Sequence, residues 1–568
     1  MVTAPDAASP PSETAGESIF PRSLEPEDQL TVVSPLPDEW VDRLLLASLQ
    51  GLVNKGRPKL YLGEDPQLGV LRKRGYGTEI ISWQEAIERF ISCAGGAVVY
   101  DPGQSAVVNA AISQAGIEGA VPATAEQAAR YGLEVSATLA GRFDSDQACL
   151  AWAVETLWPQ CSHDAICILR FGAYELEGQW RVDPIRAELM ADYLVRNRIF
   201  TFFLPPEEDG SVLALTRKLL KDMKPPRPVM GMFGTQSTYG EWETVVMVSE
   251  EGHFFVPTHT PNLTVQSGVP VDPAELRAPQ APPVTYDPDK VYLTFNISDG
   301  DNMAFTVGGG ECTLRNQYLM SERWWLDSRR GECPIGWSIG PLTVELAPAV
   351  LAHLFKTATD SDFFLCATSG VGYCYPKMLG DKREDRATIQ RDYMRLTHEY
   401  MTRLGLRSLH LNTSDDDSQR LAAEMIDGLS VMLLDYGRQF GGLGDEVTYE
   451  QLNRVVGGVP VCHAYTSSTA GGEHLKVAQE ILATWKEPGD PPFDFLFPRS
   501  LRVDVAKWLA EDIIARLPTT RPAFIHGFIN NWLCDTWMVA EIARRLPPEV
   551  VVVPPDTFGE MARKGLAG

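Results

Sequence analysis

The sequence predicts an α/β protein: a C-terminal (β/α)8 TIM-like barrel preceded by smaller α/β domains. Three observations carry this reading. Short apolar runs alternate with helical patterns along most of the chain, as in parallel sheets covered by helices. Eight such runs fall within the last ~280 residues, the length and order of a barrel. A proline-dense stretch separates them from what precedes. At 568 residues the chain also exceeds one ordinary domain of about 100 to 200 residues.

The elements follow in order. Residues 1–30 read as a disordered tail, because MVTAPDAASPPSETAGESIF lacks the basic and apolar blocks of a secretory signal. Residues 31–124 read as a small α/β domain. In DEWVDRLLLASLQGLVNKGRPKLYLGED the apolar positions Val41, Leu44, Leu45, Leu49 and Leu52 define a helix, and Gly56 and Pro58 turn it into the strand KLYL. Similar units lead to AVVYD and GAVP. Residues 125–268 read as a second α/β domain: strand AICILRF, helix DPIRAELMADYLVRNR, strand IFTFFLP, helix SVLALTRKLLKDM and strand PVMGMFG. No GxGxxG or P-loop pattern follows these strands, so they carry no dinucleotide or nucleoside triphosphate signature and suit a scaffold or substrate-shaping role. Residues 269–290, VPVDPAELRAPQAPPVTYDPDK, read as a Pro-rich linker. Residues 291–568 hold the eight runs VYLTFNI, PIGWSI, FFLCAT, SLHLNT, SVMLLDY, PVCHAY, AFIHGF and EVVVVP, with FLF at 495–497 as a competing ninth.

Composition excludes some functions. Lys and Arg number 50 against 75 Asp and Glu, a net charge of −25, which repels phosphate backbones and anionic membranes. Nucleic acid and membrane are therefore not expected partners, and no run approaches the ~18 apolar residues of a membrane helix. The ten cysteines are scattered without a CxxC pair. They read as reduced core residues, which favours a cytoplasmic location.

In a barrel, chemistry gathers where strands end. The first strand ends in SDGDN, a turn that can aim Asp299 and Asp301 into one cleft with Asn302 beside them; the same turn also suits plain backbone capping. Ser414 to Asp417 follow the fourth strand and read as a helix start, with Asp416 the member nominated to face the cleft. The fifth strand ends at Asp435 and Tyr436. The sixth carries His463 and Tyr465. The seventh carries His526, followed by Asn530, Asn531, Trp532 and Asp535. The second carries Trp337, and the third runs into CATSGVGYCYPKM, residues 366–378. There Gly370 and Gly372 turn the corner, and Tyr373 and Tyr375 either cover apolar neighbours or form a ligand platform. Aromatic faces beside Asp, Asn and His suit a carbohydrate or another polyhydroxylated small molecule.

Gly370 to Pro376 reproduces the signature GxGYxYP. Together with SDGDN at 298–302, GWSIGPLTVELAPAVL at 336–351 and SLQGLVNKGRPKLYL at 48–62, it makes the chain resemble the GxGYxYP putative glycoside hydrolase family. The resemblance implies a barrel that hydrolyses glycosides through two carboxylates, one protonating the leaving oxygen and one acting as nucleophile or base. Asp299 and Asp301 are the expected pair, with Asp416, Asp435 and Asp535 as partners across the mouth. The binding set is then Asn302, Trp337, Tyr373, Tyr375, Tyr436, His463, Tyr465, His526, Asn530, Asn531 and Trp532. No cofactor is expected. Two alternatives stay open: a deacetylase-like hydrolase with a divalent ion on Asp301, His463 and His526, and a non-catalytic carbohydrate-binding protein.

Overall fold

The structure, a computed structural model, describes residues 18–171, 173–176, 179–182, 186–203, 210–231, 241–309, 318–412, 414–434, 452–464, 502–515, 517–531 and 534–566. The N-terminal half builds three parallel sheets. Strands β1 (Gln29–Val33), β2 (Leu60–Leu62) and β3 (Gly77–Ile81) form the first, in the order β2-β1-β3. Strands β4 (Ala97–Val99), β5 (Val121–Ala123) and β6 (Val135–Thr138) form the second, in the order β5-β4-β6. The third follows β7 (Ser162–Ile168) and the hairpin of β8 (Ala173–Leu176) and β9 (Gln179–Val182); it adds β10 (Ile199–Phe202), β11 (Pro228–Gly231) and β12 (Phe254–Val256), in the order β10-β7-β11-β12. Side-chain caps start several of the crossover helices: Asp65, Ser82 and Ser145 each accept a backbone N–H, and Thr124 and Gln127 close a capping box.

Two expected boundaries move. The one placed after Thr124 falls inside the second sheet, because β6 returns to pair with β4. The expected disordered tail is packed from residue 18 onward: Ile19 and Phe20 are buried, and their backbone N–H groups donate to the Glu345 carboxylate at 3.2 and 2.8 Å.

The Pro-rich segment is in part a docked strap. Leu276 and Ala278 are buried, the Ala278 N–H donates to Leu404 O at 2.8 Å, and Arg277 donates to Thr402 O at 2.8 Å. Residues 282–289 make fewer such contacts and stay at least partly open to solvent. Limited proteolysis is therefore expected to cut this segment within 282–289 and to spare 274–280. Cleavage beginning between Ala274 and Gln280 would show that the strap is not docked in solution.

The C-terminal half forms one large sheet. Its strands are β13 (Val291–Ile297), β14 (Ile335–Ile339), β15 (Asp362–Cys366), β16 (Ser408–Leu411), β17 (Val431–Leu434), β18 (Asn453–Val456), β19 (Val459–His463), β20 (Ala523–Ile529) and β21 (Val550–Val552). Each of the eight predicted runs is a strand. Their order is β18-β19-β17-β16-β15-β14-β13-β20, all parallel except β18 against β19. The sheet curls, and a bridge between Ala464 and His526 brings β19 to β20.

Among the described residues this is a curled parallel sheet that does not complete a regular ring of eight. The seventh run, β20, pairs with β13 along all seven of its residues. The eighth, β21, then pairs with β13 at Val291–Leu293, on the side where β14 takes over at Asn296 and Ile297. It is a wedge at the base and does not stand between the seventh strand and the first. The competing run at 495–497 lies outside the described residues. No described helix is long and apolar enough to cross a membrane.

The last helix, Pro555–Leu566, explains the wedge. It packs Phe558, Met561 and Ala562 against Tyr292, Leu365, Val431, Leu433, Cys462 and Phe524 on the inner face of the curl. It sits at the strands' N-terminal ends, where the Asp556 carboxylate accepts from Ser408 Oγ at 2.5 Å. A Cβ on Gly559 would stand 2.5 Å from Ser430 O, so only glycine lets the helix approach this closely. The chain must leave β21 at the base to make this plug, which leaves the C-terminal ends of the strands free of it.

Candidate functional site

The turn after β13 is built around a glycine. Gly300 N–H donates to Ser338 Oγ at 3.0 Å, and Ser338 Oγ donates to Ile297 O at 2.6 Å. Gly300 O accepts from Gly340 N–H at 2.6 Å. A Cβ on Gly300 would lie 1.8 Å from Ser338 O, a distance no side chain survives. Asp299 takes the left-handed region, φ 59°, which Asp and Asn adopt more readily than other non-glycine residues. Ser298 Oγ donates to the Asp299 carboxylate and receives the Asn531 N–H at 3.2 Å. Asn302 caps the short helix Met303–Thr306, its side chain accepting from Ala304 N–H at 3.0 Å. Both aspartates are partly exposed.

Gly300→Ala is expected to lower stability by at least the ~1–3 kcal/mol typical of overpacking, because the clashing atom is backbone oxygen and cannot rotate away. A melting transition unchanged from the native chain would refute the close approach.

The signature loop docks on the third N-terminal sheet. Tyr373 and Phe255 exchange backbone hydrogen bonds at 2.7 and 2.8 Å, which adds an antiparallel bridge to the free edge of β12. A Cβ on Gly372 would stand 2.3 Å from Phe254 Cδ2, so the second glycine of the signature permits the contact. Gly370 has φ 133° and lies against Thr397 and Tyr393. The Met303 N–H donates to Pro257 O at 2.9 Å, so the aspartate turn and the signature loop rest on the same segment, 254–257. A small, mostly apolar crevice opens between them, lined by Phe255, Val256, Met303, Leu342 and Val371 together with Asp301.

The two tyrosines are buried, 7% and 2% exposed, and so are not a solvent-facing platform. Tyr373 Oη donates to Glu241 Oε1 at 3.1 Å and lies 3.2 Å from Tyr375 Oη. The rings meet edge to face, and Tyr375 packs on Trp242 with centroids 4.4 Å apart. Burial, then the Glu241 charge, then Tyr375, push the Tyr373 phenol well above its ordinary range, with a further push from Asp301. Glu241 is itself exposed, yet the protein packed around it disfavours the charged form and raises its carboxyl, and the charge of Asp299 raises it further, against the Tyr373 hydrogen bond, which lowers it. Glu241, Asp299 and Asp301 therefore act on one electrostatic neighbourhood.

Glu241 is the residue that sequence reading missed. It opens the helix Glu241–Glu250, after β11 in a sheet assigned only a scaffold role. The usable signal was its place beyond a strand end of a parallel sheet, where ligands of α/β folds bind.

Other candidates do not join this cluster. Trp337 is buried against Trp324 and Trp325, and its Nε1–H donates to Asp362 Oδ1 at 2.9 Å. It stands on the helix-covered side of the sheet and not at the mouth. Asp416 is exposed and pairs with Arg454 at 2.6 Å; it belongs to the first turn of the helix Asp416–Met425, for which Asp415 is the cap. Asp535 is buried, caps the helix Thr536–Arg545 by accepting from Met538 N–H at 3.0 Å, and pairs with Arg502. Both roles are structural. His526 lies wholly buried on the inner face, its ring 5.6 Å from that of His410. Burial, then His410, hold its pKa well below the ordinary value. His463 ends β19, half-buried. Asn530 O accepts from Cys534 N–H at 3.0 Å, while Asn531 reaches Asp299 through Ser298. Asp435, Tyr436, Tyr465 and Trp532 lie outside the described residues. Among the described residues no group of three His, Cys, Asp or Glu side chains is arranged to hold a metal ion.

Fold and site together define a multidomain α/β protein with a small, mostly apolar crevice, bordered by Asp301 and the signature loop, at the C-terminal ends of a curled parallel sheet. Residues 289–563 match the GxGYxYP putative glycoside hydrolase C-terminal domain, residues 176–268 the GxGYxYP third domain, and residues 94–161 the GxGYxYP_N second domain. The chain belongs to the GxGYxYP family. The crystal structure of a putative hydrolase from Bacteroides thetaiotaomicron VPI-5482 shares the fold, with a TM-score of 0.73 over 99% of each chain at 18% identity. No curated protein matches the chain.

Proposed function

We propose that the protein hydrolyses a glycosidic bond in a carbohydrate or glycosylated small molecule, with Asp299 and Asp301 as the carboxylates of the reaction. One observation carries the reading: both stand on a glycine-locked turn at the C-terminal end of β13, and Asp301 lines the crevice beside the signature loop. Membership in a family described as putative glycoside hydrolases supports it, as does fold-level likeness to a protein called a putative hydrolase. A fold alone does not choose a chemistry, so the test is turnover. The purified full chain is to be assayed on a panel of aryl glycosides, with and without chelator. Release of the phenol, undiminished by chelator, is the expected result. Turnover that vanishes on chelation and returns with one divalent metal would replace this reading with metal-assisted hydrolysis. Sugar binding without turnover would leave a binding protein.

A further inference from the structure

We propose that Glu241, contributed by the third N-terminal sheet's domain, is the proton donor to the leaving oxygen, and that Tyr373 of the signature loop positions it. The inference rests on the glycosidase reading and goes beyond it, because it makes the site composite: the barrel-like half supplies the aspartates, and the preceding domain supplies the acid.

Four observations lead there. Tyr373 Oη donates to Glu241 Oε1 at 3.1 Å, which fixes the carboxyl relative to the loop. The loop is itself fixed to β12 by the paired Tyr373 and Phe255 hydrogen bonds, and its residues Gly370, Val371 and Gly372 line the crevice together with Asp301. The charge of Asp299 also raises the Glu241 carboxyl. A general acid must hold its proton near neutrality while its partner is ionised, and burial together with a neighbouring negative charge is how a site separates two carboxyls into those roles. Tyr373 keeps its own proton, since burial and Glu241 raise its phenol well above the ordinary value; it serves as a fixed donor.

In the step itself the glycosidic C–O bond breaks as the Glu241 proton passes to the departing oxygen, which leaves as an alcohol. Water supplies the new bond to the anomeric carbon, directly or by displacing an aspartate ester, and an aspartate of the turn takes the proton of that water. One water is consumed, and solvent returns the proton to Glu241.

The test compares phenyl and dinitrophenyl glycosides of one sugar, with the full chain and Glu241→Gln. The phenyl leaving group needs a proton and the dinitrophenyl group does not. Glu241→Gln is expected to lose about a hundred- to ten-thousand-fold on the phenyl glycoside and to stay within about tenfold on the other. Equal loss on both, or loss on neither, overturns the assignment while leaving the glycosidase reading intact. Absence of turnover of either glycoside by the native chain removes both. A second variant guards against a folding defect: Tyr373→Phe deletes the bond that lowers the Glu241 pKa, so the alkaline limb of kcat/KM is expected to move to higher pH. A merely structural role for Tyr373 would lower activity with the limb in place, and that result also overturns the proposal.

Discussion

Asp299→Asn and Asp301→Asn are each expected to keep the native melting transition and to lose about a hundred- to ten-thousand-fold in glycoside turnover. The fold survives because the amide is isosteric. At Asp299 the backbone is left-handed, φ 59°, and Asn is among the residues best suited to that region. The hydrogen bond from Ser298 Oγ has an amide oxygen to receive it. What is lost is the ability to ionise or to take a proton. The two variants also differ in one readable respect. Removing the Asp299 charge removes a cause that raises the Glu241 pKa, so any residual activity of Asp299→Asn should fail at lower pH than in the native chain. Near-native turnover in both variants would place the chemistry elsewhere.

Tyr375→Ala is expected to cost about 3–5 kcal/mol of stability, the range for emptying a buried aromatic site. The ring is 2% exposed, packs on Trp242 and Tyr373, and its backbone N–H donates to Ser249 Oγ at 3.0 Å. Tyr373→Ala, at 7% exposure, should fall similarly and also remove the donor to Glu241. Calorimetric melting decides the matter. Variants that melt like the native chain while losing ligand would restore the platform reading that the sequence leaves open. Tyr373→Phe, which keeps the ring, separates the packing role from the hydroxyl's role.

Much of the architecture is legible without coordinates. Each of the eight runs in the C-terminal half is legible as a strand because it is short, mostly apolar and bounded by turn residues. The Asp-Gly-Asp turn and the glycine corners of the signature loop are legible for the same reason, since local backbone requirements select those residues. Faces are harder to read. Every residue of β13 and β14 is buried, as in any parallel strand covered on both sides. With no alternation to follow, nothing in the pattern tells that Trp337 faces the helices or that His526 faces inward.

Chain order along the sheet and the composition of the site were settled only by tertiary structure. Strand β21 reads like its seven predecessors, yet it wedges beside β13 because the final helix must reach the base of the curl. Glu241 and Tyr373 stand 132 residues apart, and each looks ordinary in its own segment. They meet because the signature loop adds a bridge to the edge of β12, where Gly372 leaves room for Phe254. Local sequence specifies dihedral angles and which residues avoid water. It does not specify which distant edge a loop will pair with, since that is decided by the fit of two surfaces that exist only once both halves have folded.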